Sequence, residues 1–181
     1  MNNLEIVLIT PNDEPIGIID KISAHKYAML HRAFSVFIYR IRNGNIELLL
    51  QQRQLDKYHC GGLWTNTCCS HPPPHQDILT SAKKRLQYEM GISADLELIG
   101  RFHYVAILDN GFFENELDYV LVGSCYDQEI PFNEEEVHAI KWISMEELHL
   151  ELTQSPELFT PWFGKALQVL IDSDYNKSKD F

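Results

Sequence analysis

The stretch Thr65-Asn66-Thr67-Cys68-Cys69-Ser70-His71-Pro72 sets two adjacent cysteines just before a histidine, with prolines following. Thiols so placed can be structural, metal-binding or catalytic, and the spacing alone leaves open which of the two acts. The chain has four cysteines, Cys60, Cys68, Cys69 and Cys125. In a reducing compartment they read as free thiols or ligands rather than as a disulfide framework. A structural zinc site from Cys60, Cys68, Cys69, His71 and His75 is a competing reading. Closed zinc sites space their ligands as C-x₂₋₄-C pairs, and the interval from Cys60 to Cys68 is too long for that.

Two acids flank Asn115 in the run Phe113-Glu114-Asn115-Glu116. Residues i and i+2 of an extended segment project from one face, so Glu114 and Glu116 point the same way and repel unless a cation lies between them. His25, His31 and His71 supply imidazoles. Three imidazoles and two carboxylates suit a borderline divalent ion such as Zn²⁺, Mn²⁺ or Fe²⁺, whereas Mg²⁺ prefers oxygen-only shells. A sparse basic set, Lys21, Arg53, Lys57 and Arg85, stands in a chain of net charge −11. Arg85 and Glu89 share a helix face at i,i+4, which alone is a solvated ion pair. Taken with the others they could clamp a diphosphate, guanidinium forks gripping oxygens while a carboxylate holds a bridging Mg²⁺.

The elements that must position these groups are legible from periodicity. Strand patterns cover residues 5–10, 33–41, 46–52, 97–107, 116–126 and 137–143, and Asn43-Gly44 signals a hairpin between the second and third. Phe34, Val36 and Ile38 alternate as a core face. Residues 77–90 carry Ile78, Leu79, Ala82, Leu86 and Met90 at helical spacing, and Gly91 ends the run. Two more helices are predicted over 145–152, capped by Ser144, and 161–171. Glu134 to Glu136 read as a solvated loop. The sum is an α/β domain with a mixed sheet covered by helices, spanning 1–181 as one unit with a loose tail over 172–181.

Composition sets the outer bounds. Hydrophobic residues make up 45% and charged residues 23%, ordinary for a globular protein. The acidic balance argues against a nucleic-acid partner. The N-terminal run lacks a signal peptide's basic flank, and no apolar stretch reaches the roughly 18 to 20 residues that cross a bilayer, so no membrane contact and a cytoplasmic setting are expected.

Together these pieces resemble the type I isopentenyl diphosphate isomerases of the Nudix superfamily. The matching segments are LHRAFSVF (30–37), LLLQQR (48–53), LWTNTCCSHP (63–72), RLQYEMGI (85–92), Tyr104 followed by FENE (113–116), and TPW (160–162). The resemblance covers about residues 5 to 170. It implies a Nudix-type mixed sheet sandwiched by helices. It also implies conversion of isopentenyl diphosphate to dimethylallyl diphosphate through a tertiary carbocation. Carried over by residue, Cys69 and Glu116 are the proton-transfer groups, Tyr104 bonds near Glu116, and Trp162 lines the hydrocarbon pocket. The resemblance assigns a first metal, Mn²⁺ or Zn²⁺, to His25, His31, His71, Glu114 and Glu116. It assigns a diphosphate-bridging Mg²⁺ to Glu89 and the Cys69 carbonyl, and the diphosphate itself to Lys21, Arg53, Lys57 and Arg85. It implies no flavin, a small-molecule substrate and a monomer or weak dimer.

Departures from the superfamily pattern are informative. Against the hydrolytic R-E-x-x-E-E core the chain reads Lys84-Arg85-Leu86-Gln87-Tyr88-Glu89. Two acids are thus replaced by Arg85 and Tyr88, and a hydrolase needs such carboxylates to gather metal at the scissile phosphate. The His25-to-His31 interval is one residue shorter than in some relatives, which makes the reach of His25 a question for tertiary structure.

Overall fold

The computed structural model describes residues 5–127 and 129–173. Nine strands and four α-helices are found among the described residues. The expected tail lies outside them from residue 174 onward, and Asp172 still belongs to a helix.

At the centre is β3 (His31–Arg42), followed by β4 (Asn45–Arg53). Asn43 and Gly44 both adopt positive φ, 52° and 80°, as a type I′ hairpin turn requires. Along β3 the expected alternation holds: Phe34, Val36 and Ile38 face one side, and Phe37 and Tyr39 the other. β8 (Phe113–Ser124) pairs parallel to β3 and antiparallel to β7 (Glu97–Ile107). On the other flank β4 pairs with β9 (Val137–Ser144) and with β5 (Trp64–Thr65). β6 (Cys68–Ser70) pairs antiparallel with β3.

Helices cover both faces. α2 (Ile78–Met90) is capped by Asp77, whose side chain accepts from the Thr80 N–H at 2.8 Å, and it ends at Gly91 with φ 67°, a left-handed conformation that glycine adopts freely. Its Ala82, Leu86 and Met90 bury against Phe34, Val36 and Ile38. Truncating Leu86 to alanine would cost about 2–5 kcal/mol through lost burial and the cavity left behind. On the opposite face α3 (Met145–Gln154), started by a Ser144/Glu147 capping box, and α4 (Phe163–Asp172) lay Leu148, Phe163, Ala166 and Leu170 over Phe37, Leu48, Leu50 and Val120. This is the mixed sheet between helices that the sequence predicts. No described helix is long and apolar enough to cross a membrane.

Three local predictions need correction. β8 begins at Phe113 rather than residue 116, because the antiparallel β7 ladder continues through Asn115 and Glu114 to Phe113, beyond the point where pairing with β3 starts at Glu116. α4 begins two residues later than predicted, since Thr160 to Trp162 form a turn closed by Phe163 N–H to the Thr160 carbonyl at 3.1 Å. Four strands and helices are missed altogether: the short β5 and β6, the six-residue α1 (Lys21–Lys26), and β2 (Pro15–Asp20), which pairs with β1 (Glu5–Ile9). Pro15 and Gly17 weaken the strand signal there, and β2 is an exposed edge strand with no buried face to alternate.

Candidate active site

Strand register assembles the acids and imidazoles. Glu114, Glu116 and Asp118 lie on the buried face of β8. Across the parallel ladder His31 stands opposite Glu116, and across the antiparallel one Tyr104 does. His31 Nε2 lies 3.2 Å from Glu116 Oε1, and His71 Nε2 lies 2.7 Å from the same oxygen. The Tyr104 hydroxyl donates to Glu116 Oε2 at 2.6 Å. His25, brought in by α1, places Nε2 3.1 Å from Glu114 Oε2. One donor atom from each of His25, His31, His71, Glu114 and Glu116 falls within 4.8 Å of all the others. The short His25-to-His31 interval therefore does not keep His25 out.

The donor set fits a metal cation for a reason internal to the structure. His25 Nδ1 is 2.7 Å from the Lys21 carbonyl, and His31 Nδ1 is 2.7 Å from the Met29 carbonyl. A carbonyl only accepts, so Nδ1 carries the proton in both rings, and the neutral ring turns its Nε2 lone pair toward a carboxylate oxygen. Lone pair against lone pair is unfavourable without a cation between them. A second proton does not resolve it at His25, because burial pushes that imidazole down to about 4. The buried His25 Nε2, His71 Nδ1 and Glu114 Oε2 have no hydrogen-bond partner. Burial and then the charge of Glu116 push Glu114 well above the carboxylate range. Burial also acts to raise Glu116, but its contacts with His31 and His71 outweigh it and hold Glu116 well below the carboxylate range.

The two adjacent cysteines separate by strand parity. On β6, Cys68 pairs opposite Val36 and Cys69 opposite Ser35. Cys68 is therefore fully buried in the apolar layer under α2, while Cys69 opens onto the same cavity as Glu116. Burial pushes the Cys69 thiol up to about 12, against the pull of Arg53, whose Nη1 lies 3.9 Å from the sulfur. No cysteine belongs to the five-residue donor group, and His75 is exposed. The described residues thus do not assemble the alternative cysteine-rich zinc site.

The cavity holds about 40 Å³ and is walled by Cys69, Glu116, Tyr104, Trp162, Lys21 and Arg53, among others. At roughly 10–15 Å³ per water that is room for a few waters, so a five-carbon chain enters only if the walls shift. The Trp162 indole N–H donates to Asn66 Oδ1 at 3.3 Å, and Asn66 Nδ2 donates to the Cys68 carbonyl at 2.6 Å. One amide thereby fixes both the indole and the strand that carries Cys69. The Arg53 guanidinium sits 5.5 Å from the indole centre.

The basic residues divide into two groups. Lys21 and Arg53 are on the cavity wall, whereas Lys57, Arg85 and Glu89 form a neighbouring cluster. Arg85 donates to Glu89 Oε1 at 2.6 Å and to Glu136 Oε2 at 2.7 Å, and Lys57 pairs with the same Glu136 oxygen. Glu89 is 4% exposed and accepts from Gln51 at 2.8 Å, so its pairing with Arg85 is a buried one and not a solvated helix pair. Arg85 lines a groove that shares Phe34, Ser70 and His71 with the cavity. The loop prediction is corrected here: Glu134 and Glu135 are exposed, but Glu136 is drawn in by two cations. Burial, then the nearby Arg53 and Arg85 charges, depress Lys21 to about 8.

Three residues of the site escaped the sequence reading. Asp118 accepts from Ser35 Oγ at 2.8 Å on the cavity wall; it continues the 114/116 alternation by one step, a signal that was there to be used. Glu136 is the second. The third, His59, lies in the β4–β5 loop and meets Glu114 through tertiary structure alone.

Comparison with known proteins agrees with this architecture. Residues 29–163 match the family model described as NUDIX domain, so the fold and the match together define a NUDIX-domain protein. Among solved structures, a Deinococcus radiodurans protein superposes with TM-score 0.67 at 14% identity over 83% of this chain and 90% of that one. A MutT protein from Methanosarcina mazei Go1 gives 0.61 at 16% identity over 77% and 91%. These likenesses carry the fold alone. An isopentenyl-diphosphate Delta-isomerase of Photobacterium profundum is 44% identical over 170 residues, covering 93% of this chain and 94% of that protein. One from Pectobacterium atrosepticum is 43% identical over 160 residues, 88% and 87% of the two chains. The chain belongs to the isopentenyl-diphosphate Delta-isomerase family.

Proposed function

We propose that this protein isomerises isopentenyl diphosphate to dimethylallyl diphosphate, moving protons at Cys69 Sγ and at the Glu116 carboxyl. The observation that supports it best is that these two groups wall one cavity, with Glu116 gripped by His71 and Tyr104. The reaction adds a proton to the terminal alkene carbon and removes one from the carbon two positions away. Positive charge rests on the tertiary carbon in between. Each positioned acid or base contributes about 10²–10⁴-fold. Cys69, kept as the neutral thiol by burial, holds a proton at rest, and Arg53 beside it favours the thiolate once that proton leaves. Cys69 and Glu116 exchange roles with direction. The Trp162 face attracts the cationic carbon by about 0.5–2 kcal/mol.

His25, His31, His71, Glu114 and Glu116 would hold a divalent cation, Mn²⁺ or Zn²⁺, matched to their nitrogen and oxygen donors. When bound it supplies the positive charge that sets the protonation state of Glu116. Lys21, Arg53, Lys57 and Arg85 would take the diphosphate, and Glu89 would hold the Mg²⁺ that accompanies it. Hydrolysis is disfavoured, since the box offers Glu89 with Arg85 and Tyr88 in place of further acids. A cytoplasmic enzyme with a small-molecule substrate completes the reading.

The test is incubation with isopentenyl diphosphate in deuterated water containing Mg²⁺ and Mn²⁺, followed by NMR. Dimethylallyl diphosphate with deuterium in a methyl group is expected. Release of phosphate without any isomer would overturn the proposal.

A further inference from the structure

Glu114 meets an imidazole at each of its oxygens. Oε2 faces His25 at 3.1 Å, and Oε1 faces His59 Nε2 at 3.7 Å. His59 is 3% exposed, an unusual burial for a loop imidazole, and its ring stacks on that of His25 with centroids 5.6 Å apart and planes 27° apart. The ring is also edged by Tyr58 and Trp162. Its backbone is fixed from another direction, because the Arg53 guanidinium donates to the His59 carbonyl at 3.3 Å. Nδ1 is buried without a hydrogen-bond partner. Among the described residues the one carboxylate oxygen within ion-pair reach of the ring is Glu114 Oε1. His59 is not one of the five donors that converge within 4.8 Å, so it stands behind the cluster and not in it.

We propose that His59 is a positioning residue for the metal site: its Nε2–H is directed at Glu114 Oε1 and holds that carboxylate in the orientation in which it meets a cation together with His25. A contact of 3.7 Å is about 0.7 Å beyond the usual N–H···O length, so the ring is aimed at the carboxylate and a shift of under about 1 Å closes the bond. Outer partners of this kind orient ligands, and losing one typically weakens metal binding about 10–100-fold. The inference rests on the reading of the His–Glu cluster as a cation site.

The experiment is titration of the metal-free full chain with Mn²⁺ alone, followed by electron paramagnetic resonance of the free ion, beside thermal melting of the same metal-free samples. His59→Phe keeps the stacked ring and removes both nitrogens. It should bind Mn²⁺ at least about tenfold more weakly than wild type with an unchanged metal-free melting temperature. His59→Gln, which restores an N–H donor at similar reach, should recover most of the affinity. Wild-type affinity in His59→Phe, or a loss that His59→Gln does not repair, would overturn the proposal. Should His59→Phe fail to fold, His59→Ala adds no bulk and carries the same expectation and the same failure. If wild-type protein itself takes up no Mn²⁺, it is the cation-site reading that falls.

Discussion

Tyr104 and Glu116 face each other across the antiparallel β7–β8 ladder, and the phenol donates to the carboxylate at 2.6 Å with both groups buried. Because burial and the adjacent carboxylates push the phenol well above its ordinary range, Tyr104 remains a donor at any physiological pH. Glu116 is thus oriented by a bond that does not titrate away.

Replacing Tyr104 by phenylalanine removes that donor without opening a cavity. A hydrogen bond to a charged group is worth about 1.5–3 kcal/mol, so kcat should fall about 10- to 150-fold while KM changes little. Steady-state kinetics on isopentenyl diphosphate decide it, and an unchanged kcat would remove Tyr104 from the mechanism.

The adjacent thiols should respond oppositely. Cys69→Ala is expected to lose about 10²–10⁴-fold in turnover with the fold intact. Cys68→Ala should keep turnover yet lose about 1–2 kcal/mol of stability in denaturant melts, since Cys68 fills the apolar layer beneath α2. Retained activity in Cys69→Ala with loss in Cys68→Ala would reverse the assignment.

Lys21 sets a pH limit on substrate capture. Its folded pKa, lowered by burial and by Arg53 and Arg85 to about 8, means the charge that attracts diphosphate fades as pH rises through that value. Log kcat/KM should bend down near pH 8, and Lys21→Arg should move the bend upward. Stability should move the other way. Between about 8 and 10.5, the ordinary value of a solvated lysine, the unfolded chain binds more protons at this residue, so its contribution to folding improves with rising pH. A pH profile in which Lys21→Arg matches wild type would refute the assignment.

Glu136 holds both Lys57 and Arg85. Glu136→Gln should free these cations for an anion. Partly exposed ion pairs are worth about 0.2–1 kcal/mol, so inorganic pyrophosphate with Mg²⁺ should bind roughly two- to fivefold more tightly by calorimetry, and KM should fall with kcat unchanged. Weaker binding would instead make Glu136 part of the anion site.

Much of the architecture was legible locally. The Asn43-Gly44 turn, the Gly91 stop and the Ser144 start all act through neighbouring backbone, and each falls where the pattern predicts. The β2–α1 segment that delivers Lys21 and His25 was not legible, because an exposed edge strand and a six-residue helix carry little periodicity.

The linear chain by itself determined the chemical inventory: paired acids on one strand face, three imidazoles, two adjacent thiols, a few cations, and a NUDIX helix short of acids. Only tertiary structure decided how they meet. His31 and Glu116, 85 positions apart, are neighbours because β3 and β8 lie parallel and in register. The same pairing of β6 on β3 turns Cys69 to the cavity and Cys68 to the core, and a slip of one residue would exchange them. His59 and Glu136 enter through loops that carry no repeat to betray their direction. Local patterns report which face a residue takes within its own element; which elements then become neighbours is set by packing between segments far apart in the chain.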